Sequence, residues 1–88
     1  MATVIVPSPL RSLCGGAATL EVAGATLGEL LRAIDVRCPG FYERAVEDGR
    51  VRPELSVALN GHAHRYGLTE AIAPNDEVTI VPAIGGGA

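Results

Sequence analysis

No lysine occurs anywhere in this chain, and all seven of its cationic side chains are arginines. The α-amino group is therefore the only amine through which the chain could itself be acylated, so side-chain-linked polymers of it are excluded. Tryptophan is missing as well, and only two tyrosines and one phenylalanine accompany an apolar content of 48%. The core must then be built from Leu, Val, Ile and Ala, in a composition that is globular rather than disordered. The arginines are scattered and outnumbered by ten acidic residues, giving a formal charge of −3, so no nucleic-acid partner is expected. No run approaches the ~20 apolar residues of a membrane span, and Met1-Ala2-Thr3-Val4 lacks the basic start of a secretion signal. A cytoplasmic location without a membrane partner is expected. Cysteine is scarce too: Cys14 and Cys38 have no Cys-x-x-Cys spacing and no companion ligands, so free thiols and no bound metal are expected.

At 88 residues the chain makes one domain, near the size that buries roughly 60% of its unfolded surface, with no room for a conventional enzyme pocket. What it has in quantity is glycine, and the placement matters. Gly85-Gly86-Gly87-Ala88 follows the strand-like run Glu77-Val78-Thr79-Ile80-Val81. Glycine loses the most freedom on ordering and has no side chain to bury, so residues 83–88 are expected to form a flexible tail behind a domain of residues 1–82. A backbone without Cβ atoms can be threaded through a narrow channel, and from Pro82 to Gly87 an extended chain reaches roughly 20 Å. The C-terminus is thus read as the working part.

Along the chain, Ala2–Val6 reads as a strand ended by Pro7, and Ser8–Gly16 as an open connection. Ala18–Val22 alternates, with Ala18, Leu20 and Val22 on one face, as a half-buried strand does. Thr26-Leu27-Gly28-Glu29 matches a capping box, and Leu27, Leu30, Leu31 and Ile34 form one apolar stripe on a helix running to about Arg37. Phe41–Glu47 is read as a short second helix with Phe41 and Ala45 or Val46 inward, before an Asp48-Gly49 turn. Leu55–Leu59 is a strand closed by the hairpin signal Asn60-Gly61. Leu68–Ile72 looks like one helical turn, and Pro74-Asn75-Asp76 leads into the last strand. First and last strands lying parallel in mid-sheet satisfy the right-handed crossover rule. The result is an α+β fold, a β-grasp (ubiquitin-like) mixed sheet of four to five strands over one main helix. A β-grasp ferredoxin is set aside, because its cluster needs four thiolates and two cysteines exist.

In this order the chain resembles the ThiS/MoaD family of ubiquitin-like sulfur carriers over essentially its whole length. The residues that carry the likeness are Asn75 to Gly87, an acidic turn, a last strand, a proline, an aliphatic residue and a diglycine, together with Thr26–Leu31 and Leu59-Asn60-Gly61. The length and the proline-rich first loop look most like carriers that serve cysteine biosynthesis or natural-product biosynthesis. The resemblance implies that the protein is not an enzyme but a cosubstrate. An adenylating enzyme similar to ubiquitin-activating enzymes would use ATP and Mg to activate the terminal carboxylate, with no cofactor bound by this chain. A sulfur donor would then leave a thiocarboxylate on Gly87, which a sulfur-accepting biosynthetic enzyme consumes. Ile84, Gly85 and Gly86 would be held in the partner's channel. Ala88 departs from the family pattern, and two readings stand: a precursor that a JAMM-type zinc protease cuts between Gly87 and Ala88, or a scar of cloning or of sequence assignment on an already competent carrier.

The family's docking surface is the sheet face away from the helix, which makes Leu10, Ala58 and Val81 candidate partner contacts; scattered surface hydrophobes are the plainer reading. His62 and His64 would share a side of an extended segment, but two imidazoles without a third ligand are a solvated hairpin edge rather than a metal site. Asp35, Glu43, Glu47 and Asp48 are read as a solvated acidic face that could steer toward a basic partner. Two other functions fit the same tail: a protein modifier forming isopeptide bonds, and the small subunit of molybdopterin synthase.

Overall fold

A computed structural model describes residues 1–82. Strand β1 (Ala2–Ile5) pairs antiparallel with β2 (Thr19–Val22), forming the first arm. Helix α1 (Leu27–Arg37) crosses over, followed by α2 (Phe41–Ala45) and a small ribbon of β3 (Val46–Glu47) and β4 (Arg50–Val51). Then β5 (Leu55–Leu59) turns into β6 (His62–His64), and β7 (Glu77–Pro82) closes the sheet. The strand order is β2-β1-β7-β5-β6, with β1 and β7 parallel at the centre. This is the β-grasp, with five strands in its main sheet. Among the described residues no helix is long and apolar enough to cross a membrane.

The start of α1 follows from its capping residues. The Glu29 N–H donates to Thr26 Oγ1 at 3.2 Å, and the Glu29 carboxylate returns to accept from Ala25 N at 3.0 Å. The reciprocal bond of a capping box usually reaches the cap residue's own N–H; here it reaches one residue further back. Leu27, Leu30, Leu31 and Ile34 are buried as their spacing predicts, meeting Val4, Leu20, Val22, Val57, Val78 and Ile80 from the sheet. Phe41, fully buried, plugs the end of this core where Gly40, at φ 93°, reverses the chain.

The structure departs from the sequence reading in four places. Ser8–Cys14 is a 3₁₀ helix rather than an open connection, with a proline in its first turn. Val46 and Glu47 leave helical geometry and pair across the Asp48-Gly49 turn with Val51 and Arg50, so the second helix ends at Ala45. Leu68–Ile72 is not helical. Its carbonyls and amides are spent on α1: Leu27 N donates to Glu70 O, Gly28 N to Leu68 O, and Ile72 N to Ala25 O. The first two satisfy helix-start donors that lack intrahelical partners, and the third ties the segment to the loop before α1.

The fourth departure is chemical. Cys14 and Cys38 are not free thiols but a disulfide, with Cα atoms 4.5 Å apart. The 3₁₀ helix lies across the C-terminal end of α1, where Cys38 is fully buried and caps the helix by donating to Ile34 O. The bridge fastens the β1–β2 connection to the far end of the helix.

Candidate functional site

The C-terminal segment follows the central strand of the sheet. β7 is paired on both sides, with β1 in register Thr3↔Glu77 to Ile5↔Thr79 and with β5 from Leu59↔Val78 to Leu55↔Pro82. Its beginning is fixed by a polar clasp. Asn60, at the left-handed φ of 51° that the hairpin turn requires, donates from Nδ2 to Asp76 Oδ1 at 2.9 Å, and its Oδ1 accepts from Glu77 N at 2.8 Å. Asp76 Oδ2 accepts from Ala73 N at 2.8 Å. These hydrogen bonds, first Asn60 and then the Ala73 amide, favour the ionised carboxylate and hold Asp76 below the usual range. The Asn60-Gly61 hairpin signal was legible in sequence; that its asparagine also anchors the last strand was not.

At its other end β7 outruns β1. The pairing with β1 stops at Thr79, so Val81 and Pro82 are held by β5 alone. Pro82, which lacks an N–H to leave unpaired, occupies this half-free end at little cost. Around it Pro7, Pro9, Leu10, Leu55 and Pro82 line a shallow apolar cleft of about 340 Å³, with Arg44 and Glu54 also on its lining. Pro7, Pro9 and Leu55 carried no sequence signal for this role, because the fold alone brings the β1–β2 connection against β5 and the end of β7.

Of the candidate partner contacts, Val81 is exposed, Ala58 lies at the border of burial, and Leu10 is a core residue that also lines the cleft around Pro82. Ala58 and Val81 do not adjoin in register: Ala58 faces Thr79, and Val81 faces Ser56. Ile84, Gly85, Gly86, Gly87 and Ala88 lie outside the described residues. His62 and His64 are exposed on β6, and the His64 ring stands edge-on to Tyr66 at 5.4 Å. Among the described residues no group of three or more His, Cys, Asp or Glu side chains is arranged to hold a metal. The acidic neighbourhood is partly committed to the fold, since Asp35 Oδ1 accepts from Tyr42 N at 2.9 Å and Glu47 pairs with Arg52 at 3.4 Å.

Comparison with known proteins agrees with this architecture. The model of the ThiS family matches residues 4–87. The sulfur carrier protein CysO of Mycobacterium tuberculosis is 33% identical over 97% of each chain. Its crystal structure superposes with a TM-score of 0.89 over 94% of this chain and 99% of that one. CysO in the Amycolatopsis orientalis BexX/CysO complex is 30% identical, with the same TM-score over 94% of this chain and 96% of that one. The small archaeal modifier protein 3 of Haloferax volcanii is 35% identical over 72% of this chain and 71% of its own.

Proposed function

The chain belongs to the ThiS family, and from that premise we propose that it is a sulfur carrier, a cosubstrate that is charged at Gly87 and discharged by a biosynthetic enzyme. The observation that carries this reading is the likeness to CysO along the whole of both chains. The geometry supports it. A strand paired on both sides and clasped at its start by Asn60 and Asp76 gives the segment after Pro82 a fixed point of departure.

The chemistry asked of Gly87 begins from an unreactive carboxylate. An adenylating enzyme directs a carboxylate oxygen onto the α-phosphate of ATP, with Mg at the enzyme's site, and pyrophosphate leaves. Hydrosulfide delivered by a sulfur donor attacks the acyl carbon, and AMP departs with the bond's electron pair, leaving the thiocarboxylate. Held in a partner's closed site, this nucleophile gains effective concentration and is shielded from water. Gly85 and Gly86 offer no Cβ to obstruct a channel, and Gly87 leaves its carbonyl open to the adenylate and the sulfur. Whatever follows Gly87, here Ala88, must be cleaved first, because until then its carbonyl is an ordinary amide. A JAMM-type zinc protease is the proposed agent. The proposed acceptor is an enzyme of cysteine or natural-product biosynthesis, a reading that the BexX/CysO complex supports.

The relationship to an archaeal modifier protein favours one second reading, in which the same adenylate is captured by a lysine of a target protein. The absence of lysine from this chain would exclude conjugates extended through its own side chains. The test uses two versions of the chain, ending at Gly87 and at Ala88, with the activating enzyme, ATP and hydrosulfide. Only the version ending at Gly87 should support ATP–pyrophosphate exchange and gain the mass of one oxygen replaced by sulfur. Equal charging of both, with Ala88 retained, overturns the assignment of Gly87.

A further inference from the structure

In a chain of net charge −3, most arginines are bound to their own fold. Arg11 donates to Val6 O, Arg37 to Glu21 O, Arg52 to Glu43 O and to the Glu47 carboxylate, and the Arg32 guanidinium sits 4.5 Å from the centre of the Tyr42 ring. Arg44, Arg50 and Arg65 differ. Among the described residues none of the three has a side-chain hydrogen-bond or ion-pair partner; Arg44 borders the cleft around Pro82 beside Glu54, and Glu47, which faces Arg50 across the ribbon, pairs with Arg52. Arg50 and Arg65 are exposed, and both border one cleft of about 220 Å³ between β4, β5 and the segment after β6.

The floor of that cleft is apolar, made by Val51, Leu55, Val57 and Tyr66, and no carboxylate lines it. It is also preformed. The Tyr66 hydroxyl donates to His62 O at 2.8 Å, and the His64 ring supports the tyrosine edge-on, so the aromatic wall is fixed. Glu47 and Asp48 line a neighbouring opening together with Arg50 and Arg65, where Glu47 is paired with Arg52.

We propose that this cleft is a docking site for an acidic segment of a partner protein, in which one large apolar side chain enters the hole and flanking carboxylates take Arg50 and Arg65. The volume suits one anchoring side chain, the arrangement from which interface energy is usually drawn. Charge complementarity names the partner: exposed guanidiniums with no carboxylate paired to them offer planar forks for bidentate pairing, and their field steers an acidic chain inward. Leu55 lines both this cleft and the one around Pro82, so a protein that receives the C-terminal segment can grip here as well. The proposal does not depend on what chemistry that segment carries.

The test is titration of isotope-labelled protein with the synthetic peptide Asp-Glu-Phe-Asp-Glu, blocked at both ends, followed by amide chemical shifts. Saturable shifts centred on Arg50, Val51, Arg65 and Tyr66 are expected. Affinity should fall with added salt, at least tenfold on Phe→Ala in the peptide, and at least tenfold in an Arg50→Glu/Arg65→Glu variant. Both positions are exposed, so an unchanged amide spectrum elsewhere certifies the variant's fold, and Arg50→Lys/Arg65→Lys should retain part of the affinity. No saturable shift at millimolar peptide, shifts centred on other arginines, or equal binding by the Glu variant would each overturn the proposal. So would a concentration-dependent dimer that the Glu variant abolishes, since the cleft would then seat a second copy of this chain.

Discussion

Gly24→Ala should destabilise the domain by about 1 to 3 kcal/mol, although it adds one methyl group to a loop. A Cβ at Gly24 would stand 2.7 Å from Leu30 N, 2.8 Å from Leu30 Cα and 3.2 Å from Glu29 C. Carbon atoms rest at about 3.5–4.0 Å, so either loop or helix must retreat by ~1 Å. Neither side yields easily. The obstruction is helix backbone, held by Leu30 N donating to Thr26 O at 2.9 Å and by the burial of Leu30 and Leu31. The loop is tied by Ala25 N to Glu29 Oε1 and by Ile72 N to Ala25 O. Retreat stretches one or both of these bonds, each worth about 0.5–1.5 kcal/mol net. Urea titration should show a lower midpoint at unchanged slope. Gly67→Ala is the control, since its nearest neighbour to an added Cβ is Thr69 Oγ1 at 3.9 Å. That variant should be neutral or gain about 0.4–1 kcal/mol through the unfolded chain. A Gly24→Ala protein as stable as the parent would refute the close contact between this loop and α1.

Ile34→Ala, which empties a fully buried position on the helix stripe, should cost about 2 to 5 kcal/mol by the same titration; an unchanged midpoint would contradict the helix-on-sheet core. The native chain should present no thiol to Ellman's reagent. Reduction of Cys14–Cys38, which spans a sequence separation of 24, should lower stability by about 3 to 4 kcal/mol in the chain-entropy account, and equal oxidised and reduced midpoints would count against it. Because the folded-state pKa of Asp76 is depressed, its contribution to stability is present above the ordinary carboxylate pKa and is lost as pH falls through the lowered value. Asn60→Ala, which removes the larger cause of that depression, should flatten the acid limb of the stability profile; an identical limb in parent and variant would discount the clasp.

The local grammar of the chain was legible to the extent that each signal resolves its own energetics. The capping box, the stripe from Leu27 to Ile34, the alternation of β2 and the Asn60-Gly61 turn each satisfy backbone groups or bury a face within a few residues. The parallel centre of β1 and β7 fits the right-handed crossover rule that the sequence reading invoked. What escaped the sequence depends on contacts between distant segments. Leu68–Ile72 has helical composition, yet its backbone is claimed by the start of α1. Val46 and Glu47 continue a helical pattern, yet the Asp48-Gly49 turn offers them a strand partner. Cys14 and Cys38 carry no spacing motif because the fold, not the spacing, brings them together. The basic cleft was hidden for the same reason: Arg50 and Arg65 read as scattered charges until β4 and the end of β6 place them on one opening. At the candidate site, the Asn75-to-Gly87 pattern identified the launching strand and the segment it launches. The apolar surround of Pro82 could be read only from the fold.

The central claim is that Gly87 carries sulfur as a thiocarboxylate, and the intact mass of the chain isolated from the cells that make it tests this most directly. The account predicts a single unconjugated chain ending at Gly87, with one terminal oxygen replaced by sulfur and the added mass lost on incubation with the accepting enzyme and its substrate. Recovery of the chain joined through Gly87 to lysines of other proteins, or ending at Ala88 with an ordinary carboxylate while the accepting reaction proceeds, would contradict it.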